Sequence, residues 1–209
     1  MSDPQATAGS AAAEQIVPRA EFRVFGRNVI ETVQPRIWDC AAVLLGRREM
    51  PAETYFLSAG TLDANVKLRG GLLDIKVRVG ETAEGYEIYQ PRGKYRFPVQ
   101  QAELANILAQ LGVAVDLAEE VYAAEAVIDL ARRHPQLVPV TVEKERYGFT
   151  VDGVLCEYAR VWFNGAEIQT ACVESEDHAA MPAVIERLGL TGLANTSYLR
   201  AARRVVGLE

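Results

Sequence analysis

Two glutamates in the last quarter of the chain carry the pattern with the clearest chemical meaning. If residues 170–176 form a strand, Cys172, Glu174 and Glu176 lie on one face, because successive side chains of a strand point to opposite sides. Two neighbouring carboxylates repel each other unless a cation lies between them. The pattern therefore predicts a cation at this face, either Mg²⁺ or Mn²⁺ or the side chains of nearby lysines and arginines.

Basic residues repeat with the same two-residue spacing on other predicted strands. The sets that share a face are Lys67 with Arg69, then Lys76 and Arg78 with Asp74, and in the second half Lys144 with Arg146. The opposite faces are apolar, as at Val66 and Ile75. Two arrangements are open. An open antiparallel sheet would leave these charges on a solvated face. A closed barrel would enclose them, so that the basic pairs hold a polyanion and the carboxylates a divalent cation.

The elements that would position these residues follow the order strands, helices, strands, helices. Strands are predicted at 20–25, 53–58, 64–69, 73–79, 85–91, 138–149, 154–163 and 167–176, and helices at 27–45, 100–111, 116–133, 181–188 and 195–206. Gly70-Gly71, Asp152-Gly153 and Asn164-Gly165 predict hairpin turns, and Pro91 is expected to end its strand. A meander in each half indicates an antiparallel α+β fold with an internal pseudo-two-fold repeat and enough strands to close a barrel.

Length and composition indicate an ordinary soluble protein with one domain. The chain has 209 residues, 49% of them hydrophobic, and a formal net charge of −6, which argues against non-specific binding of nucleic acid. We expect a flexible tail at 1–19 and a single domain at 20–209. The sequence has neither a membrane span nor a secretory signal, and its three cysteines favour neither a disulfide framework nor a zinc site. These features favour the cytoplasm and no membrane partner, and they leave a homodimer open.

Several motifs occur in an order that resembles a known superfamily. VKLRGGLLDIKVRV and VEKERYGFTVDG each place basic residues around a hairpin, LCEYARVWFNG carries Glu157, VESED carries the glutamate pair, and GLTGLANTSY ends in Asn195, Ser197 and Tyr198. From about Glu21 to the C-terminus, this order resembles the CYTH superfamily, the triphosphate-tunnel proteins that include class IV adenylyl cyclase and thiamine triphosphatase.

The resemblance implies an eight-stranded antiparallel tunnel with helices packed outside. Proteins of this superfamily bind a triphosphate through lysine and arginine, with one or two divalent cations held by glutamates. Carried over to this chain, the phosphate-binding residues are Lys67, Arg69, Lys76, Arg78, Lys144 and Arg146. The metal ligands, for Mg²⁺ or Mn²⁺, are Glu21, Glu157, Glu174 and Glu176. The implied partner is a small-molecule triphosphate or a polyphosphate.

The N-terminal signature of the superfamily, Glu-x-Glu-x-Lys, is not intact. The corresponding AEFRVFG offers Glu21, Arg23 and Phe25, so a cation replaces the second carboxylate and the lysine is lost. Two functions are therefore open: a divalent-metal-dependent phosphohydrolase, and a non-catalytic module that binds a polyanion or nucleotide through a degenerate metal site. A cyclase has less support, since nothing marks nucleoside recognition. A protein–protein adaptor with an open sheet is the remaining alternative.

Overall fold

Eight strands close into an antiparallel barrel in the computed structural model, which describes residues 17–208. They are β1 (Arg19–Gly26), β2 (Val43–Ser58), β3 (Ala64–Arg69), β4 (Leu72–Glu81), β5 (Glu87–Arg96), β8 (Leu137–Val151), β9 (Val154–Phe163) and β10 (Ala166–Ser175), and a separate small sheet pairs β6 (Val99–Gln100) with β7 (Val121–Tyr122). Around the barrel the order is β1-β10-β9-β8-β2-β3-β4-β5. The predicted α+β fold with an eight-stranded barrel is confirmed. The predicted tail falls mostly on residues 1–16, which lie outside the described residues.

Tight turns connect the strands of the two meanders. Asp152 and Asn164 adopt positive φ angles of 50° and 48°, and the glycine that follows each of them is also positive. Gly70 and Gly71 do the same between β3 and β4. Two successive residues with positive φ match the right-handed twist of the flanking strands, which is why these dipeptides mark hairpins. The three predicted hairpins are confirmed.

Four helices cover the outside of the barrel. They are α1 (Val29–Asp39), α2 (Gln101–Gln110), α3 (Ala124–Arg133) and α4 (Met181–Arg187), the last preceded by a 3₁₀ turn at His178–Ala180. Helices α1 and α4 bury Val33 and Val184 with Val173, which lies on the outward face of β10. Helices α2 and α3 pack in a second cluster with Val66 of β3 and Ile75 of β4. The apolar faces predicted for these strands therefore point outwards, and the charged faces point into the barrel.

The C-terminal helix α5 (Tyr198–Val205) closes one end of the barrel. Leu199 and Ala202 are buried in one cluster with Tyr55, Val161 and Phe163, at the end where β9 stops and β8 begins. Because Val161 and Phe163 have the same parity as Glu157, these side chains share the inner face of β9. The interior thus divides into an apolar end beneath α5 and a charged remainder.

The largest differences between predicted and observed boundaries occur around α1 and β2, at the end of β5 and at the start of α3. The helix expected at 27–45 ends at Asp39, and a positive φ of 50° at Ala41 turns the chain into a β2 that begins at Val43. The strand expected to end at Pro91 continues to Arg96, because a register shift against β4 accommodates a residue that cannot donate a backbone hydrogen bond. The helix expected at 116–133 begins only at Ala124, after pairing of β7 with β6. Among residues 17–208, no helix is long and apolar enough to cross a membrane.

Candidate functional site

The charged part of the barrel interior is a cavity of about 360 Å³, which lies in the size range of small-molecule sites. Seven cationic side chains line it: Arg23, Arg48, Lys67, Arg69, Lys76, Lys144 and Arg146. Three carboxylates also line it: Glu21, Glu157 and Glu174. The chain as a whole has a net charge of −6. Positive charge is therefore concentrated in this cavity, where low-dielectric walls strengthen its attraction for anions.

Eight of the ten residues predicted for the site line this cavity, and Arg78 and Glu176 do not. Arg78 is held by exposed carboxylates, with its Nε 3.0 Å from Asp63 and its Nη1 3.3 Å from Glu81. Glu176 lies just beyond the end of β10 and is 3.2 Å from Arg19. Alternation along a strand grouped both residues with lining residues, but the cavity does not extend to their positions. The roles assigned to all ten residues stay predictions.

On one side of the cavity, three cations surround the buried carboxylate of Glu53, and Arg69, one of the three, also pairs with the buried Asp74 of β4, with its Nη2 2.5 Å from Asp74 Oδ2; we call the group around Glu53 the basic wall. It consists of Lys67 and Arg69 from β3, Lys144 from β8, and Glu53 and Tyr55 from β2. Lys144 Nζ lies 2.7 Å from Glu53 Oε2 and donates a hydrogen bond to Tyr55 Oη at 2.9 Å. Lys67 Nζ is 3.9 Å from Glu53 Oε2, and Arg69 Nε is 3.8 Å from Glu53 Oε1. Glu53 is only 1% exposed and Asp74 only 2%, so three cations are matched by two carboxylates away from bulk water.

Burial and repulsion change the protonation of the basic wall. Burial and the neighbouring charge of Lys144 lower the pKa of Lys67 to about 7, although Glu53 acts in the opposite direction. Burial also lowers the pKa of Lys144. Burial alone would raise the pKa of Glu53, but the adjacent Lys144 and Lys67 bring it below its ordinary value. An anion entering the cavity would favour the protonated form of Lys67 and supply the negative charge that this wall lacks.

On the other side, one arginine lies between two carboxylates; we call Glu21, Arg23, Glu157 and Glu174 the acidic wall. Arg23 Nε is 2.7 Å from Glu21 Oε1, and its Nη1 is 3.4 Å from Glu157 Oε1. The second oxygen of Glu157 is 2.5 Å from Arg146 Nη2. The position that breaks the N-terminal signature therefore supplies a cation to the carboxylates around it.

The carboxylates of the acidic wall are not equivalent. Burial would raise the pKa of Glu21, but Arg23 outweighs that effect and lowers it. Glu174 has no such close partner, since its salt bridge is with Arg19 Nη1 at 3.7 Å and Lys76 acts on it without a short contact. Burial raises the pKa of Glu174, and the charge of Glu21 adds to the rise. Glu174 is therefore the carboxylate of this wall that most lacks compensation.

The donors of the acidic wall do not fit a divalent cation as they are arranged. Mg²⁺ and Mn²⁺ need several oxygen ligands that converge on one point. Here Glu21 and Glu157 direct oxygens at the nitrogens of Arg23 and Arg146 instead. Within residues 17–208, no group of three or more histidine, cysteine, aspartate and glutamate side chains is arranged to hold a metal ion. The expectation of a metal is therefore left to experiment.

Several lining or adjoining residues escaped the sequence analysis. Glu53 and Tyr55 alternate within a predicted strand, so their shared parity could have placed them with the charged faces. Arg48 belongs to a stretch for which no element was predicted, although it pairs in register with Arg146. Tyr198 was noted only as part of a motif. Its ring lies 4.5 Å from the guanidinium carbon of Arg23, and its buried hydroxyl makes no hydrogen bond with any residue that the structure describes.

The cysteines near the cavity are poor nucleophiles. Burial raises the pKa of Cys156 to about 12 and raises that of Cys172 as well. A thiol reacts as its thiolate, and these two are protonated at neutral pH. The chemistry of the cavity is therefore that of fixed charges and hydrogen-bond donors.

Comparisons with known proteins show where this architecture occurs. No protein-family model and no curated protein matches the sequence. Among solved structures, the putative adenylyl cyclase HpAC1 from Hippeastrum, which has a dominant triphosphatase activity, aligns with a TM-score of 0.50 and 9% identity over 90% of this chain and 95% of that one. A conserved hypothetical protein from Pyrococcus furiosus aligns with a TM-score of 0.48 and 15% identity over 87% and 98%.

A putative adenylate cyclase from Bacillus halodurans aligns with a TM-score of 0.43 and 13% identity over 89% of this chain and 98% of that one. At such identities the likeness concerns the fold and not the activity. The chain has the eight-stranded antiparallel tunnel fold that its resemblance to the CYTH superfamily implied.

Proposed function

We propose that the tunnel binds the phosphate chain of a small triphosphate-bearing molecule or of a short inorganic polyphosphate. The observation that carries this proposal is the excess of cations over carboxylates in the lining of the cavity, seven against three, in a protein that is acidic overall. A linear anion with several charged oxygens can contact cations on facing strands at once, whereas a single phosphate can contact only some of them.

Two lining cations make no short contact with a carboxylate. Lys76 and Arg48 make no hydrogen bond or salt bridge with any residue in the described part of the chain, although the charge of Lys76 acts on Glu21 and Glu174 from a greater distance. Lys67 and Lys144 are engaged, but they share one carboxylate with Arg69. The unpartnered hydroxyl of Tyr198 adds a neutral donor at the same cavity. A phosphate chain would complete the hydrogen bonding of this lining and neutralise its surplus charge.

Hydrolysis of a bound phosphoanhydride is the second candidate. It is favoured by the triphosphatase activity of HpAC1, which shares the fold, and by the arginines and lysines that could stabilise negative charge as a phosphoryl group transfers. Release of orthophosphate from tripolyphosphate, with Mg²⁺ or Mn²⁺ and without either, separates an enzyme from a binding module. A protein that binds tripolyphosphate tightly and releases no phosphate under any of these conditions is the non-catalytic alternative.

Thermal unfolding in EDTA, with tripolyphosphate, pyrophosphate, orthophosphate, ATP or thiamine triphosphate, tests the binding proposal directly. At one hundred times its dissociation constant, a ligand stabilises the folded state by about 2.7 kcal/mol, which for a chain of this size raises Tm by about 5 to 10 °C. We expect the triphosphates to give the largest shifts and orthophosphate the smallest. Equal shifts for orthophosphate and tripolyphosphate, or no shift with either, would contradict the proposal.

A matched pair of variants locates the effect. Lys76→Gln removes a lining charge that has no ion-pair partner, so the fold should tolerate it while tripolyphosphate affinity falls by about tenfold. Lys94→Gln makes the same change at an exposed position on β5 and should bind as the wild type does. Isothermal titration calorimetry measures both. Equal affinities for the two variants would place the ligand outside the tunnel.

A further inference from the structure

The guanidinium of Arg23 lies where the carboxylates of the acidic wall converge. We infer that Arg23 is an internal cation, which takes the place between Glu21 and Glu157 that a divalent metal ion would otherwise have. The tunnel then binds its polyphosphate without a metal. The statement about polyphosphate rests on the function proposed above, whereas the exclusion of metal from the acidic wall does not depend on it.

The side chain of Arg23 is bonded at two of its nitrogens. Its Nε is 2.7 Å from Glu21 Oε1, and its Nη1 is 3.4 Å from both Glu157 Oε1 and Thr170 Oγ1. Arg23 is 6% exposed, so these interactions are made away from bulk water. Thr170 is itself fixed, because its hydroxyl donates to Val24 O at 2.7 Å. The guanidinium is therefore held on strands β1, β9 and β10 together.

The backbone of Arg23 is also held, from the side of the C-terminal motif. Its amide donates to Asn195 Oδ1 at 2.9 Å, and its carbonyl accepts from the amide of Thr196 at 2.7 Å. Strand β1 pairs with β5 only as far as Glu21, so these two bonds satisfy the edge of β1 where β5 no longer reaches. Asn195 also donates to Gly85 O at 2.9 Å, which ties the motif to the segment before β5.

An aromatic ring closes the remaining side of the guanidinium. The ring of Tyr198 lies 4.5 Å from the guanidinium carbon of Arg23, within the range of a cation–π interaction. The same ring lies 4.4 Å from Lys144 Nζ, so Tyr198 joins the acidic wall to the basic wall. Arg23 is therefore a fixed part of the site. It is held by two carboxylates, a hydroxyl, an aromatic ring and two backbone hydrogen bonds.

A fixed guanidinium and a bound metal ion exclude each other here. A divalent cation on Glu21 and Glu157 would have to displace Arg23 from both carboxylates and would then repel it at short range. The guanidinium already supplies positive charge at this wall. Burial would lower its pKa, but neighbouring acidic groups, Glu21 and Glu157 among them, raise the pKa above that of an ordinary arginine, so Arg23 is charged at every physiological pH. In solution, Mg²⁺ instead complexes the polyphosphate and competes with the lysines and arginines of the tunnel.

Metal titration without any phosphate tests the occupancy of the acidic wall. We would follow Tm of the wild type, Arg23→Gln, Arg23→Lys and Arg47→Gln in EDTA and in rising MnCl₂ or MgCl₂. Arg47 is the matched control, since it is an ion-paired arginine outside the cavity, bonded to Glu49 and Glu145. Only Arg23→Gln should be stabilised by Mn²⁺, by several degrees, because only that change leaves the two carboxylates without their shared cation.

Calorimetry with tripolyphosphate tests the consequence for binding. The wild type should bind in EDTA at least as tightly as in Mg²⁺, and Arg23→Lys, which keeps a cation, should behave in the same way. Tighter binding by the wild type in Mg²⁺, or stabilisation of the wild type by Mn²⁺ alone, would overturn the inference while leaving the proposed function intact.

Two further outcomes keep the inference and the proposed function separable. Absence of tripolyphosphate binding would refute the proposed function, but the titration with Mn²⁺ alone would still decide the role of Arg23. If Arg23→Gln fails to fold in EDTA, recovery of a cooperative unfolding transition in Mn²⁺ supports the inference. In that case the response of the wild type and of Arg23→Lys to metal remains the measurement that can refute it.

Discussion

The two walls of the cavity are built on the same scheme with opposite signs. In the basic wall, three cations share Glu53, and one of them, Arg69, has Asp74 as a second ion-pair partner; in the acidic wall one guanidinium, Arg23, is shared by two carboxylates. The walls differ in the charge that their internal ion pairs leave uncompensated. The basic wall keeps surplus positive charge, whereas Glu21 and Glu157 are compensated by arginines of the chain itself. The uncompensated charge of this tunnel is therefore mainly positive, which favours binding of an anion over binding of a metal ion.

The surplus of the basic wall makes the free protein less stable than it could be. Burial and repulsion lower the pKa of Lys67 to about 7, and Glu53 Oε1 is buried without a hydrogen-bond partner. Buried groups with unsatisfied charge or hydrogen bonds cost free energy, and they recur where a protein binds a ligand that satisfies them. The variants below would break or sharpen this comparison.

The largest effect is expected at the centre of the basic wall. Lys144→Met removes the closest cation of Glu53 and leaves a carboxylate that is 1% exposed, so we expect a loss of about 3 to 5 kcal/mol in the free energy of unfolding. Urea denaturation measures it. The exposed Lys94→Met is the matched control and should change stability by less than about 0.5 kcal/mol. The addition of Glu53→Gln should recover part of the loss, and equal stability of Lys144→Met and the wild type would refute the arrangement.

The next effect is a dependence of stability and of tripolyphosphate affinity on pH, caused by the titration of Lys67. Its pKa is about 7 in the folded protein and 10.5 ordinarily, so between these values the unfolded chain holds a proton that the folded chain has released, and the contribution of Lys67 to stability rises with pH. A bound anion restores that proton. Relative to Lys67→Arg, the affinity of the wild type for tripolyphosphate should therefore fall by about tenfold from pH 6 to pH 8.

The comparison with Lys67→Arg cancels the titration of the ligand, because both proteins meet the same tripolyphosphate at each pH. Calorimetry at pH 6, 7 and 8 provides the ratio of affinities, and Tm values of the free proteins verify that both are folded. A ratio that stays constant over this range would show that Lys67 keeps an ordinary pKa in the tunnel.

A smaller effect distinguishes the cavity from its rim. Arg78 does not line the cavity, and its partners Asp63 and Glu81 have side chains that are 59% exposed. Arg78→Gln should therefore cost less than about 1 kcal/mol of stability and leave tripolyphosphate affinity within about twofold of the wild type. A loss comparable to that of Lys76→Gln would return Arg78 to the phosphate-binding set that the family resemblance implied.

The smallest effect on stability is expected at Tyr198, which touches both walls. Tyr198→Phe keeps the ring that covers Arg23 and removes a hydroxyl that lacks a partner, so stability should change by less than about 0.5 kcal/mol or rise. If that hydroxyl donates to the bound anion, tripolyphosphate affinity falls while stability is kept. Urea denaturation measures the stability of this variant, and calorimetry measures its affinity for tripolyphosphate. A large loss of stability would mean that the hydroxyl has a structural role.

Much of this molecule could be predicted from local patterns. Alternation along a strand depends only on backbone geometry, so it placed Lys67 with Arg69 and Lys144 with Arg146 on the correct faces. Hairpin turns depend on two residues with positive φ, so Asp152-Gly153 and its counterparts were recognisable. The boundaries at Ala41, Pro91 and Ala124 were less accessible, because pairing with a distant strand outweighed local propensity there.

The sequence specifies which charges share a strand face, and it shows that Arg23 replaces a carboxylate of the resembled signature. It does not specify the partner of each charge. Arg23 and Glu157 are 134 positions apart, and they meet because β10 pairs with β1 on one side and with β9 on the other. In the barrel, the side chain of Arg23 reaches across a neighbouring strand to Glu157, and this contact is shielded from bulk water. The sequence showed that Arg23 stands where the signature has a carboxylate. Only the tertiary structure showed that Arg23 is the counter-ion of the carboxylates of Glu21 and Glu157.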